Sequence, residues 1–194
     1  MYFMKTDESE LIEKLKLGDE KAFRILFDIY KINVYNTAAG FLTNVNDAED
    51  VTQEVFIQVF KSIKHFKENS KLSTWIYRIT ITKCLDLLRK KKTKKRFAFF
   101  VDLFENDEKD KEEVFVNYEH PGVQTDKLEL SKILFKEIDK LPDNQRISFV
   151  LNKVEKLAYQ EISEVMGISV PAVESLIFRA KSGLKKRLEK YYKS

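Results

Sequence analysis

Two groups of side chains in this sequence are of types that bind nucleic acid. The first combines an aromatic ring with cations: Trp75 lies close in sequence to Arg78 and Lys83, and a basic run follows at residues 89–96. Aromatic faces stack on unpaired bases while Lys and Arg hold phosphates, so this composition favours contact with a single strand. A core role for Trp75 and a solvated tail for the basic run are the alternatives.

The second group is a helix-turn-helix pattern over residues 157–173. A short amphipathic segment leads to Gly167, which permits a left-handed turn, and Ser169 can cap a second helix with Pro171 in its first turn. The predicted core comprises Ile162, Val165, Ile168, Val173 and Ile177. The side chains predicted to face a major groove are Ser169, Pro171, Ala172, Glu174, Ser175, Phe178, Arg179 and Lys181. An ordinary helical hairpin shares the core pattern, but the basic run at residues 185–187 favours DNA binding.

Other chemistry finds little support in the sequence. A single cysteine, Cys84, and two distant histidines predict no metal site, and no cofactor is expected. A DNA recombinase would need either a nucleophilic Ser or Tyr with assisting Arg residues, or three carboxylates that bind Mg²⁺. The acidic pair Asp47 and Asp50 instead lies on a helix surface without a pocket. We therefore predict that the chain is not an enzyme and has no small-molecule substrate. With no signal peptide or membrane-spanning run, it is expected in the cytoplasm.

Charge is unevenly distributed along the 194 residues. Residues 1–60 carry a net charge of −5, residues 61–100 of +11, residues 101–130 of −7 and residues 131–194 of +5. Two basic blocks separated by an acidic one indicate two modules that face polyanions, joined by a segment with another role. A pure protein–protein adaptor would not need the +11 block.

The elements that position these residues are predicted to be helices. Only five Gly and three Pro, with 43% apolar residues, predict an all-α fold with real cores. A first long helix is expected after Asp19 as N-cap, and a second after Asn46, with Glu49 in a capping-box position. On the second helix one apolar stripe is predicted, with Phe56 and Phe60 beside it; its members are Ala48, Val51, Val55, Val59 and Ile63. A third is expected from Thr74, capped by Ser73, to about residue 91.

Helical patterning returns in the last third of the chain, after a stretch with no sustained period. Residues 97–130 hold the only Pro-Gly pair and are interpreted as a flexible linker. The predicted organisation is therefore two small helical domains, residues 8–96 and residues 131–194, on either side of this linker.

The two motif blocks, in this order and about a hundred residues apart, resemble a bacterial RNA polymerase sigma factor. The similarity is to the extracytoplasmic-function (ECF) type, which keeps only sigma domains 2 and 4, and it covers residues 10–96 and 131–190. It implies a transcription initiation factor that binds core polymerase, recognises minus-ten and minus-thirty-five promoter elements and assists strand opening. The alternative is a helix-turn-helix regulator that binds duplex DNA without being a polymerase subunit.

The resemblance also implies partners and residue roles. Asp50, Gln53 and Glu54 match positions that dock on the clamp helices of the largest polymerase subunit, the C-terminal domain would contact the flap, and an anti-sigma factor is an expected partner. The positions implied in minus-ten recognition are Lys67, Asn69, Ser70, Lys71, Trp75, Arg78, Thr82, Lys83 and Arg89. The eight outward residues of the helix-turn-helix match the minus-thirty-five reader.

Three residues depart from the family pattern. Housekeeping sigma factors have a tryptophan pair where this chain has Thr74 and Trp75, and many ECF members have Asn in place of Thr82. Glu174 stands where a basic residue is frequent; its carboxylate can accept from a cytosine amino group but is repelled by phosphate.

Overall fold

The computed structural model describes residues 8–42, 44–104 and 133–192, and these ranges contain helices but no β-strand. The prediction of an all-α fold is confirmed. The elements are α1 (Glu8–Lys16), α2 (Glu20–Phe41), α3 (Val45–Ser62), a 3₁₀ turn (Ile63–His65), α4 (Leu72–Phe104), α5 (residues 133–139), α6 (Asp143–Lys153), α7 (Tyr159–Met166) and α8 (Val170–Tyr192). We call α1–α4 the N-terminal unit and α5–α8 the C-terminal unit.

Helix α2 begins as predicted and α3 begins two residues earlier than predicted. The carboxylate of Asp19 accepts hydrogen bonds from the backbone N–H groups of Lys21 and Ala22, at 2.7 and 3.1 Å, which satisfies donors that an α-helix leaves unpaired at its start. The N-cap of α3 is Asn44, which accepts from the N–H of Asp47 at 3.2 Å. The prediction of Asn46 as cap was wrong because an equivalent Asn lies two residues earlier.

The core of the N-terminal unit forms between α2, α3 and α4. The apolar stripe predicted on α3 is buried along its full length, since each member falls on the same face at helical spacing. Its members are Ala48, Val51, Val55, Val59 and Ile63. They pack against Leu26, Ala38 and Phe41 of α2, all of which are fully buried, and against Ile76 of α4.

Helix α4 is longer than predicted at both ends. It begins at Leu72, ahead of the predicted cap Ser73, and continues past residue 91 to Phe104. The run after residue 89 consists largely of Lys and Arg, which are good helix formers, and contains no Gly or Pro that would end the helix. The predicted linker, residues 97–130, therefore begins as helix, and from residue 105 it lies outside the described residues.

The C-terminal unit closes around the predicted helix-turn-helix core. Ile162, Val165, Val173 and Ile177 are buried, and Ile168 packs against them. Helices α5, α6 and α8 supply most of the rest of the core, including Ile138, Leu151 and Ala180.

Helix α1 was not predicted from the sequence. It buries Leu11, Ile12 and Leu15 against the rest of the N-terminal unit and leaves its carboxylates exposed. Its nine residues give only two turns of pattern, too short a window for periodicity to stand out.

The described residues contain neither a membrane-spanning helix nor a cluster of metal ligands. None of their helices is long and apolar enough to cross a membrane. No group of three or more His, Cys, Asp or Glu side chains within the described ranges is arranged to hold a metal ion.

Candidate nucleic-acid and protein-docking surfaces

The outward face of α8, here the α8 surface, is open to solvent. Its members are Ser169, Pro171, Ala172, Glu174, Ser175, Phe178, Arg179 and Lys181; Ala172 is partly buried and the others are exposed. Phe178 is 71% exposed, which is unusual for a phenylalanine on a folded surface. A bare apolar ring beside Arg and Ser on one helix can contact thymine methyl groups and base edges in a major groove.

The turn before α8 is fixed by backbone geometry. Gly167 adopts φ of 67° and its N–H donates to the carbonyl of Ser163 at 2.9 Å. The Ser163 hydroxyl donates in turn to the carbonyl of Ile168. At the other end of α7, the carboxylate of Glu161 accepts from the N–H of Ala158 at 3.0 Å. Helix α7 is therefore held at both ends, and the angle at which α8 projects is set by the left-handed glycine.

The loop before α4 carries four of the predicted minus-ten positions. Lys67, Asn69 and Lys71 are exposed and Ser70 is partly buried. The loop is anchored at its start by Phe66, which is buried with its ring 5.0 Å from that of Trp75.

Helix α1 holds the same loop from the other side. Lys16 forms an ion pair with Glu68, a residue with φ of 57°, and the carboxylate of Glu8 accepts from the N–H of Leu72 at 3.0 Å. A non-glycine residue at positive φ needs such surrounding support. These contacts could not be predicted from the sequence, because they join residues more than fifty positions apart.

The predicted minus-ten residues on α4 are only partly available. The Thr82 hydroxyl donates to the carbonyl of Arg78 at 2.8 Å, within its own helix. Lys83 pairs with Glu54 at 3.2 Å, and Arg89 pairs with Asp86 at 3.2 Å. Exposed pairs of this kind contribute about 0–1 kcal/mol, so phosphate can replace the carboxylate. The four loop residues, Trp75 and these four α4 residues together form what we call the α4 surface.

The predicted docking residues form the α3 surface, on the side of α3 opposite its buried stripe. Asp50, Gln53 and Glu54 are all exposed. They adjoin Ile57 and Phe60, which are 52% and 51% exposed although both are large and apolar. The sequence pattern placed Phe60 beside the core stripe; in the structure its ring stacks edge-on against Phe23, at 5.2 Å, and stays half in solvent. Acidic and apolar side chains together suit a protein partner better than DNA.

The two units pack against each other, and this contact covers part of the α4 surface. The guanidinium of Arg78 donates to two backbone carbonyls of α7, from Nη2 to Glu164 at 2.5 Å and from Nε to Val165 at 3.3 Å. Lys71 faces Glu161 of α7 at 3.7 Å. The last carbonyls of a helix have no partner within it and carry partial negative charge, so they bind a guanidinium much as a phosphate does.

A second part of the contact lies on α2. The carboxylate of Glu155, between α6 and α7, accepts from the Asn33 amide at 2.9 Å and from the Tyr77 hydroxyl at 3.0 Å. Burial raises the pKa of the Glu155 carboxyl above its usual value, and the hydrogen bonds from Asn33 and Tyr77 partly offset that effect. Burial, followed by the charge of Glu155, raises the pKa of Tyr77.

The contact also includes a close backbone approach. A Cβ added at Gly40 of α2 would lie 2.7 Å from a methyl carbon of Val150 of α6, so only glycine fits there without a shift. One position further along, the Phe41 ring lies 5.8 Å from the guanidinium carbon of Arg146, which is itself buried and paired with Asp139. Asn33, Gly40 and Phe41 share one face of α2, so this helix packs against both units.

Comparison with known proteins identifies both motif blocks. Residues 26–94 match the model for Sigma-70 region 2, and residues 131–184 match the model for Sigma-70, region 4. The chain is 35% identical over 184 residues to the ECF RNA polymerase sigma factor SigW of Bacillus subtilis, covering 91% of this chain and 94% of that protein.

Two solved structures show the same fold. CnrH in complex with the cytosolic domain of CnrY matches with a TM-score of 0.69 at 23% identity, covering 95% of this chain and 97% of that one. The sigma factor RpoE in complex with the anti-sigma factor NepR, from Bartonella quintana, matches with a TM-score of 0.66 at 17% identity, covering 87% and 98% of the two chains.

Proposed function

The chain belongs to the ECF group of RNA polymerase sigma factors, which are promoter-directing initiation factors without catalytic activity, and we propose how its three surfaces divide that work. The α3 surface docks on core polymerase, at the clamp helices of the largest subunit. The α4 surface binds the minus-ten element as its strands separate, and the α8 surface binds the minus-thirty-five element as duplex.

One observation carries this division: the basic and aromatic side chains lie on α4 and α8, while the acidic and apolar ones lie apart on α3. Lys and Arg with aromatic rings suit DNA, whereas Asp50 and Glu54 would repel phosphates and Ile57 and Phe60 offer area to a protein. The resemblance of the sequence to the family implies the same roles for residues on all three surfaces. A regulator that is not a polymerase subunit would have no use for the α3 surface.

Charge reversal on α3 tests the docking assignment. We expect Asp50→Lys with Glu54→Lys to abolish binding to core polymerase while helical content and stability change little, because exposed positions usually contribute within about 0.5 kcal/mol. Binding would be measured by pull-down with purified core enzyme. Undiminished binding by the double variant would refute the docking assignment.

Two controls isolate the effect of position. Glu13→Lys with Glu20→Lys makes the same change in charge at two exposed residues away from α3, and should bind core polymerase normally. Lys83→Ala removes only the ion partner of Glu54, so it separates the loss of that pair from the loss of docking.

Three further assignments complete the proposal. An anti-sigma factor is a partner, as it is for RpoE of Bartonella quintana in its complex with NepR, and the C-terminal unit contacts the polymerase flap. The domains extend over residues 8–96 and 131–194 with a linker over residues 97–130, boundaries somewhat wider than the two family matches. The site of action is the cytoplasm, where the polymerase works.

A further inference from the structure

The end of α3 and the 3₁₀ turn after it carry a cluster of basic side chains that the proposed function does not use. Its members are Lys61, Lys64 and His65, all exposed, and we call them the turn patch. The backbone stays helical from α3 into the turn, so Lys61 lies three and four positions from the other two and neighbours both. Ile63, between them, is buried and fixes the turn on the core.

The charge of α3 changes sign along its exposed side. The carboxylates of Asp50 and Glu54 belong to its first two turns and its middle, whereas every ionisable side chain in residues 61–67 is basic. The next carboxylate along the chain, that of Glu68, is already paired with Lys16. No member of the turn patch forms an ion pair or a side-chain hydrogen bond with another described residue. The turn patch is therefore a local positive charge without a counterion among the described residues.

Stability of the helix end accounts for only part of this cluster. A cation in the last turn of a helix interacts favourably with the carbonyl groups that have no partner there. Basic side chains at these spacings also repel one another, and the repulsion is of similar size to that gain. Several of them together therefore contribute little to the fold, which points to an anion outside the chain.

The loop before α4 connects the turn patch to α4, and Phe66 stands at the patch end of this loop. The Phe66 N–H donates to the carbonyl of Ile63 at 3.0 Å, and its buried ring lies 5.0 Å from that of Trp75. These contacts fix the turn patch relative to the start of α4. A strand that crosses α4 and the loop therefore has the turn patch as its next basic surface.

We propose that the turn patch binds the phosphate backbone of the unpaired strand where that strand leaves the minus-ten element. Lysines hold phosphates without reading bases, so this contact adds affinity and retains the separated strand but adds no sequence preference. His65 supplies a ring N–H that can donate to a phosphate oxygen. The inference rests on the proposed function, because the α4 surface must bind the element for the turn patch to meet its strand.

The test uses holoenzyme, reconstituted from the full chain and core polymerase, on synthetic promoter DNA with a single-stranded minus-ten region. One template ends at the element, and two others extend the unpaired strand by about five nucleotides at one end or at the other. We expect one extension to increase affinity several-fold. The triple variant Lys61→Ala, Lys64→Ala and His65→Ala should lose that gain and bind the unextended template as the unmodified protein does.

Salt dependence gives a second measurement on the extended template. Each phosphate contact to a single strand contributes about 0.7 to the slope of log affinity against log salt concentration, so loss of both lysines should reduce the slope by about 1.4. The matched control is Lys136→Ala with Lys153→Ala, which removes two exposed lysines from the C-terminal unit and should retain both the gain and the slope. Contacts of the polymerase with the extension are the same in every variant, so the difference between variants measures the turn patch.

Three results would overturn the proposal. The first is an equal gain from the extension in the triple variant and the unmodified protein, and the second is no gain in either. The third is weaker binding of the triple variant to core polymerase in a pull-down, which would assign the turn patch to the docking surface on α3. If unmodified holoenzyme does not bind even the unextended template, the proposed function itself fails, a result distinct from these three.

Discussion

The α4 and α8 surfaces both combine cations with aromatic rings, yet they are built and held in different ways. The α8 surface is one face of a single helix, and its geometry depends on a local turn. The α4 surface combines a loop with a helix and is held by α1 and by a buried Phe66–Trp75 contact, and the other unit contacts it through Arg78. The geometry of the α8 surface therefore depends on one local turn, whereas that of the α4 surface depends on contacts from several distant parts of the chain.

The largest expected effect that tests this comparison is on promoter binding and strand opening. Arg179→Ala should weaken closed-complex binding by about 1–3 kcal/mol if a base contact is lost, and should matter little on a template whose minus-ten region is already unpaired. Asn69→Ala should leave closed-complex binding intact and impair strand opening. Both residues are exposed, so neither change should alter folding. Ser175 is exposed and provides a second variant of the first kind. Trp75 provides one of the second kind, but it is partly buried against Phe66, so the folding of that variant must be checked as well.

Promoter binding and permanganate reactivity of unpaired thymines, measured side by side with core polymerase, would check this prediction. Parallel loss of binding and opening in both variants would mean that the two surfaces do not divide the work, and that the loop before α4 is only structural.

A smaller effect tests the local turn under the α8 surface. Gly167→Ala should destabilise the chain by about 1–2 kcal/mol, because a Cβ is disfavoured at φ of 67° even though no atom lies within 4 Å of it. Gly183→Ala in the interior of α8 is the matched control; its Cβ meets Leu141 at an ordinary 3.9 Å, and it should stabilise by about 0.5–1 kcal/mol. Urea unfolding measures both, and equal changes of the same sign would contradict the assignment of strain to the turn.

The smallest expected effect is a pH dependence of the packing between the two units. Because this contact raises the pKa of Glu155 above the value of 4.5 usual for the free carboxyl, the packed form binds the proton more tightly than a form with the units separated. The packing should therefore be most favourable below that usual value, weaken as the pH rises through the raised value and then level off. Small-angle X-ray scattering measured from about pH 4 to pH 7 would follow this trend. Glu155→Gln should remove this dependence, and an unchanged profile in that variant would assign it to other groups.

Local features of the fold could be predicted from the sequence because they depend on neighbours along the chain. Asp19 as a cap, the buried stripe on α3 and the core of the helix-turn-helix each follow from side-chain type and spacing within one or two helices. The cap of α3 was misplaced because Asn44 and Asn46 are chemically equivalent, and only the backbone geometry decides between them.

The candidate surfaces could be predicted in part for the same reason. The outward face of α8 follows from the period of a single helix. Its counterpart on α4 involves contacts that join distant residues, such as Lys16 with Glu68 and Arg78 with Glu164. These contacts are made by polar side chains and backbone carbonyls, so the hydrophobic periodicity of the sequence cannot reveal them. Exposure of Phe60 was missed because an aromatic residue next to a buried stripe is expected to join it.

Helix α1 sets a lower limit on the smallest fragment that can present the loop before α4 correctly. The family match begins at residue 26, so a fragment cut there would retain the loop and α4. It would lose Lys16 and Glu8, and with them the ion pair at Glu68 and the carboxylate that binds the first N–H of α4. An isolated recombinant domain should therefore begin at or before residue 8, and an affinity tag or a fluorescent protein should be fused ahead of that residue. Both contacts between α1 and the loop before α4 are then kept.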